Sequence, residues 1–323
     1  MSGERFLVTG ALGCIGAWVV RCLVREGVAV AAFDLAGDPY RLRLIMTDDE
    51  LARVRFVTGD ITDLPALERS LKDTGSTHII HLAGLQVPFC KADPALGARV
   101  NVVGTVNVFE AAKRAGLRRV VYASSIAVYG LSEEYPDGPV AHDAPMRPRT
   151  HYGVYKQANE GTARIYWLDD GIASIGLRPY IVYGPGRDQG MTSQPTQAML
   201  AAVRGRPHHI PFGGRAVYQY TEDTARTFIQ AARADFRGAE GFNLGGSVAG
   251  VPEVIAAIEA AEPSARGRIS YDDKPLPFPE EADGGPLVAA IGPLPQTPLV
   301  DGVRQTMAIY REAIAQGRLT ASR

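Results

Sequence analysis

Tyr152 and Lys156 stand four residues apart, a spacing that puts both side chains on one face of a helix. A phenol of ordinary pKa, about 10, is too weak an acid to serve as a base near neutrality. An ammonium beside it stabilises the phenolate and draws its titration toward working pH. Lys156 also offers three donors suited to ribose hydroxyls. Ser125 closes the apolar run 119–125, and the carboxyl end of a parallel strand is where doubly wound sheets bind ligands. The three residues form an acid/base set. Tyr152 moves a proton, Lys156 tunes it, and Ser125 hydrogen-bonds the substrate oxygen. A Tyr-x-x-x-Lys spacing alone fits a solvated helix pair equally well, so its weight comes from the elements ahead of it.

The chain starts with an apolar strand, Phe6-Leu7-Val8-Thr9, that runs into Gly10, Gly13 and Gly16. Ile15, Val19, Cys22 and Leu23 then repeat at helical spacing as far as Gly27. Gly10 allows a tight turn, and Gly13 lets backbone N–H groups approach a pyrophosphate. Gly16 lets the helix pack close, with its positive end toward the anion. Without the flanking strand and helix these are ordinary turn glycines; in context they read as a dinucleotide site. The next apolar run, 28–33, ends at Asp34, 24 positions after Gly10. A carboxylate there accepts from the adenosine ribose and repels a 2′-phosphate, which favours NAD. Arg41 and Arg43 nearby keep NADP open as the alternative.

The pattern predicts a short helix at 48–53, a strand at 54–57, and a helix capped by Asp63 and running through 71. A strand at 77–82, a long helix over 94–115 and a strand at 119–125 follow. After a polar, proline-rich loop at 133–149 come a helix over 150–168 and a strand at 173–177. Strands alternating with helices specify an α/β fold, a doubly wound parallel sheet. Beyond Gly184-Pro185-Gly186 glycine and proline become frequent, with helices at 193–204, 221–234 and 251–261. Residues 263–298 are proline-dense and lead to a helix over 299–315. The division is residues 1–180 for the dinucleotide domain and 181–323 for a smaller, mostly helical substrate region. The second is interleaved with the first and packed over the open edge of the sheet.

Composition narrows the class. Of the 323 residues 21% are charged and the formal net charge is −1, which gives no footing for nucleic acid. No apolar run approaches the ~18 residues of a membrane span. The first strand begins after four residues, leaving no room for a signal peptide. Cys14, Cys22 and Cys90 are odd in number and lack Cys-x-x-Cys spacing, consistent with a reduced, cytoplasmic setting. His78 and His81 fall on opposite faces of a strand, and His208 and His209 diverge, so no metal is expected. Cys90 is expected in the loop after the fourth strand.

Several stretches, in order, resemble the extended short-chain dehydrogenase/reductases of the NAD-dependent epimerase/dehydratase family, built on the Rossmann sheet. They are Thr9-Gly10-Ala11-Leu12-Gly13-Cys14-Ile15-Gly16, Gly59-Asp60-Ile61-Thr62-Asp63, His81-Leu82-Ala83-Gly84, Asn101-Val102-Val103-Gly104-Thr105, Tyr122-Ala123-Ser124-Ser125-Ile126-Ala127-Val128-Tyr129-Gly130, Tyr152-Gly153-Val154-Tyr155-Lys156 and Arg178-Pro179-Tyr180-Ile181-Val182-Tyr183-Gly184-Pro185-Gly186. The resemblance covers residues 6 to about 235. It implies that Asp60 and Ile61 flank the adenine, that Leu82, Ala83 and Gly84 line the cleft, and that Asn101 supports the long helix. Ser124 and Ser125 then face nicotinamide and substrate, with Tyr152 as acid/base and Lys156 its partner. Gly10, Gly13, Cys14, Ile15, Gly16, Asp34 and Pro179 complete the cofactor set. Gln86, Ile126, Arg187, Thr192, Ser193 and Arg215 are the substrate candidates. A homodimer through the helices at 94–115 and 152–168 is implied on the same ground.

Departures from the family narrow the reaction. Dehydratases of this group follow the catalytic hydroxyl with Asp-Glu, whereas Ile126-Ala127 have no proton to move. Nucleotide-sugar enzymes carry an Asn where this chain has Ile181, and an Arg where it has Ala216, beside Arg215. Both changes favour a small polyhydroxylated substrate such as a sugar, sugar acid, lactone or hydroxy acid. Ser-Ser-Ile-Ala-Val and Tyr-Gly-Val-x-Lys are also similar to the family's threonine dehydrogenases. The implied reaction passes a hydride between NAD and a secondary alcohol or ketone, as a dehydrogenase or an epimerase. A nucleotide-sugar epimerase using Arg215 is the enzymatic alternative. A non-catalytic NAD(H) sensor or scaffold is the other class, and it has no need of an intact Ser125, Tyr152 and Lys156.

Overall fold

The computed structural model describes residues 3–319. β1 (Arg5–Thr9) shows why the sheet is parallel. Phe6 and Val8 enter one hydrophobic cluster and Leu7 the opposite one, so the strand is buried on both faces. β2 (Ala29–Asp34), β3 (Arg55–Thr58), β4 (His78–His81), β5 (Arg119–Ala123) and β6 (Ala173–Arg178) join it. The order in the seven-stranded sheet is β10-β6-β5-β4-β1-β2-β3, where β10 is Ala239–Asn243, and all pairings are parallel. The chain runs outward from β1 in one direction to β3 and returns to β4 on its other side. This is a switch point, and it opens a crevice at the carboxyl ends of the strands. Register aligns those ends: Thr9 pairs with Phe33 and with His81, and Tyr122 with His81 and Gly176.

α1 (Cys14–Arg25) packs on one face together with α10 (Thr221–Arg233). α4 (Leu64–Thr74), α7 (Gly104–Arg114) and α8 (His151–Asp170) cover the other face. Asp63 caps α4 by accepting from Ala66 N at 3.1 Å, and Thr150 caps α8 by accepting from Gly153 N at 3.0 Å. α2 (Tyr40–Ile45) and α3 (Asp48–Leu51) fill the connection between β2 and β3.

Two local expectations change. The helix expected at 94–115 is broken into α6 (Pro94–Ala98), a π turn over Arg99–Val103, and α7, and a short helix not expected from the sequence, α5 (Val87–Ala92), precedes it. Asp93 restarts the helix by accepting from Leu96 N at 2.9 Å, and the wide turn carries Asn101 inward, buried. Cys90 therefore lies on a helix and is buried, not in a loop; its thiol donates to Leu85 O at 3.3 Å. The C-terminal region contributes to the main sheet. α10 belongs to the main sheet's helical layer, and β10 is a seventh strand that covers the β6 edge.

A second core forms around β7 (Ile181–Tyr183), α9 (Gln194–Val203), β9 (Arg215–Tyr220), β11 (Ser247–Gly250), α11 (Val251–Ala261) and α13 (Leu299–Ala315). A two-stranded pair, β8 (His208–Ile210) with β12 (Ile269–Tyr271), completes it, whereas α12 (Gly285–Ile291) packs on the first core through Leu287. Among the described residues no helix is long and apolar enough to cross a membrane.

Candidate active site

The glycine turn is shaped by close approach. Gly10 has φ +69°, and a Cβ there would lie 2.5 Å from Ala83 N. A Cβ on Gly16 would lie 2.1 Å from Gly10 O, so strand and helix meet only without side chains. Gly13 caps α1 with no side-chain acceptor and the first turn has no acid, so its amides are left for an anion from outside. Asp34 ends β2. Its Oδ2 accepts from Leu12 N and its Oδ1 from Leu35 N, each at 2.8 Å. Each oxygen keeps a lone pair for a ribose hydroxyl. Burial pushes its pKa up and the two amides oppose this. Arg43 pairs with Asp38 and Arg41 with Asp188, so both arginines near Asp34 are engaged within the chain.

One cavity of about 570 Å³ joins this turn to the acid/base set. Gly10, Gly13, Cys14, Ile15, Gly16, Asp34, Asp60, Ile61, Leu82, Ala83, Gly84, Ser124, Ser125, Tyr152, Lys156 and Pro179 line it, as do Gln86, Ile126, Arg187 and Thr192. A helix end without a side-chain cap at one pole and Ser125, Tyr152 and Lys156 at the other fit a dinucleotide. Three candidates stand outside the cavity. Asn101 sits behind it, accepting from Leu85 N at 2.7 Å and donating to Leu85 O at 2.9 Å, and so fixes the loop after β4. Ser193 turns its hydroxyl to Gly190 O at 2.8 Å. Arg215 is half-exposed and faces Glu253 and Glu281, each at 3.9 Å.

Ser125 and Tyr152 line the same cavity, and the Ser125 hydroxyl acts on the phenol. Lys156 is buried, donates to Ala123 O at 2.6 Å and lies 5.5 Å from the centroid of the Tyr152 ring. Burial pulls its pKa down to about 8. Sequence spacing predicts that Lys156 lowers the phenol; the structure shifts the balance. Burial raises Tyr152, and the opposing influences are the Ser125 hydrogen bond and the charge of Arg187. The ammonium is directed at a carbonyl rather than at the phenol, and dehydration weakens it. Ser124 differs from its neighbour, since its hydroxyl donates to Glu160 at 2.5 Å, away from the chemistry.

Arg187 follows β7. Its Nη2 donates to Thr192 Oγ1 at 2.9 Å and its buried Nε has no acceptor. No described carboxylate pairs with it, because the adjacent Asp188 is taken by Arg41 at 2.6 Å and by the Tyr40 hydroxyl. Gln86 Oε1 is likewise buried without a partner. The cavity wall also contains Arg41, weighed from the sequence only for a 2′-phosphate, and Asp188, Met191 and Phe278, which sequence reasoning did not place there. Phe278 arrives from the proline-dense segment and packs edge-on to Tyr180, with centroids 6.0 Å apart. Nothing near it in sequence announces this.

His78 stacks on Phe6, while His81 lies between Thr9 at 2.7 Å and Thr105 at 3.0 Å. Among the described residues no cluster of three or more His, Cys, Asp or Glu side chains is set to hold a metal.

Comparison with known proteins agrees with this geometry. The family model described as "NAD dependent epimerase/dehydratase family" matches residues 6–245. A UDP-glucose 4-epimerase of Mycolicibacterium smegmatis is 30% identical over 95% of this chain and 98% of its own. The structure of the Thermus thermophilus UDP-glucose 4-epimerase complexed with NAD superposes with TM-score 0.79 and 27% identity, over 96% of this chain and 100% of that one. MoeE5 in complex with UDP-glucuronic acid and NAD gives TM-score 0.79 and 28% identity, with the same coverage.

Proposed function

The chain belongs to the NAD-dependent epimerase/dehydratase family and is an NAD-dependent enzyme of the extended short-chain dehydrogenase/reductase type, and from that premise we propose that it acts on a secondary alcohol of a small polyhydroxylated acid. The observation that carries this reading is the unpaired Arg187 guanidinium lining the same cavity as Tyr152. A carboxylate on the substrate supplies the acceptor that the buried Nε lacks.

The amides of Cys14 and Ile15 would hold the pyrophosphate, Asp34 the adenosine ribose, and Lys156 the nicotinamide ribose, while Gly13, whose own amide donates to Gly10 O at 3.0 Å, would leave room for the approach. Bound there, NAD supplies the hydride acceptor. The chain's own residues do the rest. Ser125 hydrogen-bonds the reacting oxygen and Tyr152 exchanges its proton. Arg187 orients the substrate and keeps positive charge near the phenolate. When the ketone leaves, the outcome is a dehydrogenase; when it turns over and is reduced on its other face, an epimerase.

The test is a panel of sugar acids, hydroxy acids and neutral polyols, read by NADH absorbance and by product stereochemistry. Tyr152→Phe is expected to lower turnover by at least about 100-fold while NAD affinity stays within about twofold, since the phenol serves the chemistry rather than the dinucleotide. Turnover at the wild-type rate would remove Tyr152 from the mechanism.

A nucleotide-sugar substrate is the second reading, favoured by the relatives' names. Against it, Ile181 and Ala216 are buried and apolar, and Arg215 stands outside the cavity. A rise in Tm with UDP would restore it. We also place the protein in the cytoplasm, where Cys14, Cys22 and Cys90, all unpaired, remain thiols. Finally, we infer a homodimer through the exposed apolar side chains Leu96, Val103, Val154, Ile165 and Leu168. A monomeric mass in sedimentation equilibrium would refute that association.

A further inference from the structure

The segment 184–190 crosses the cavity from the cofactor wall to the substrate wall. At its base Trp18 Nε1 donates to Pro185 O at 2.9 Å, fastening it to α1. On the adenosine side Arg41 reaches it from α2. Arg41 Nε donates to Gly186 O at 3.1 Å, and Nη2 pairs with Asp188 Oδ1 at 2.6 Å. The same guanidinium donates through Nη1 to Leu12 O at 2.9 Å, within the glycine turn itself. Tyr40 stacks on Arg41 at 4.6 Å and gives its hydroxyl to Asp188. On the substrate side a Cβ on Gly190 would lie 2.0 Å from Gln86 Oε1, so the segment rests against the loop after β4. The charges of Arg187, Arg41 and Asp188 all act on the Cys14 thiol in the first turn of α1. All three line the cavity together with Cys14, at the helix end where the pyrophosphate belongs. Gly184, Gly186 and Gly190 have φ of +134°, +89° and +88°, backbone that lets the segment bend at three points.

We propose that Arg41 and Asp188 form a clasp over the bound dinucleotide, so that NAD is retained from one turnover to the next. This rests on the dinucleotide reading above and deepens it. A retained cofactor suits redox that closes on itself. The substrate's carbinol carbon gives up a hydride and its oxygen a proton, and the ketone regains both, with no external oxidant consumed. The epimerase outcome is thereby preferred to the dehydrogenase one. The clasp also explains why Arg187 has no carboxylate partner among the described residues. Asp188 would otherwise neutralise its neighbour, and Arg41 holds it away.

The test loads the full chain with NADH, removes free cofactor, and follows the fall of NADH fluorescence after a chase with excess NAD⁺. Asp188→Asn and Arg41→Gln are each expected to release NADH at least about tenfold faster. Tyr40→Phe, which removes one hydrogen bond and keeps the ring, should give a smaller acceleration. The charge-exchanged double variant, Arg41→Asp with Asp188→Arg, should release more slowly than either single change. Release at the wild-type rate from folded Asp188→Asn and Arg41→Gln would overturn the clasp, as would a wild-type protein that loses its NADH on desalting within seconds. Failure of the wild type to bind NADH at all would instead overturn the dinucleotide reading. Should either single variant fail to fold, the Tyr40→Phe release rate decides.

Discussion

Two buried cations lie close together behind the strand ends, and the chain treats them oppositely. Arg178, 2% exposed, is satisfied by Glu160 through Nε at 2.8 Å and Nη2 at 2.5 Å. Its Nη1 donates to the Tyr129 hydroxyl at 2.6 Å and to His142 O at 2.5 Å. Lys156, one helical turn before Glu160 and 5% exposed, has one carbonyl, Ala123 O. The first arrangement joins α8 to β6 and to the loop after β5, and through Ser124 it steadies the strand end that presents Ser125. The second leaves an ammonium short of partners at the cavity wall, where a ribose and a phenolate can use it. Structure is built from paired charge, and chemistry is left with the unpaired one.

Breaking the paired side should do the most damage. Glu160→Ala strands the Arg178 guanidinium in the core and is expected to cost about 3–5 kcal/mol of stability by urea unfolding. A loss under about 1 kcal/mol would mean that water or neighbouring carbonyls satisfy Arg178, and the contrast would fail.

Removing the unpaired cation should act in reverse. Lys156→Met is expected to lower turnover by at least about 100-fold and, at pH 7, to leave the protein without bound NAD at least as stable as wild type. The pH dependence fixes the sign. Burial holds Lys156 near pKa 8 against an ordinary 10.5, so between those values the unfolded chain binds more protons than the folded one. Wild-type stability relative to Lys156→Met therefore rises from about pH 8 to about 10.5 and is level below 8. A difference that falls over that window would show that the ammonium is better paired than the structure indicates.

The smallest effect is expected from an exposed pair. Arg226 bonds Glu222 at 2.8 Å with its side chain 47% exposed. Arg226→Ala should change stability by no more than about 0.5 kcal/mol. A larger loss in thermal unfolding would mean that burial is not what separates the strong pairs from the weak ones here.

The sequence revealed the cofactor half more fully than the substrate half. Gly10, Gly13 and Gly16 are spaced by the backbone's own steric needs. Asp34 follows a strand whose apolar run marks its end, and Tyr152 and Lys156 are linked by a helical turn. All of these are short-range facts. The π turn at 99–103 was hidden because Leu96, Val100 and Val103 repeat as in a regular helix, and the widening answers to packing against Ile61 and the loop after β4. Leu96 and Val103 prove exposed, so that apolar repeat does not mark the core.

By itself, then, the sequence determined the doubly wound sheet, the glycine turn and the one-turn spacing of Tyr152 and Lys156, because each follows from periodicity or from spacing within a few residues. Tertiary structure alone decided that Asp188 turns to Arg41, that Arg187 is left unpaired beside Tyr152, and that Ser193 and Arg215 miss the cavity. It also decided that burial weakens Lys156. Those outcomes depend on which distant side chain arrives first and how much water it displaces, and neither is written in local order.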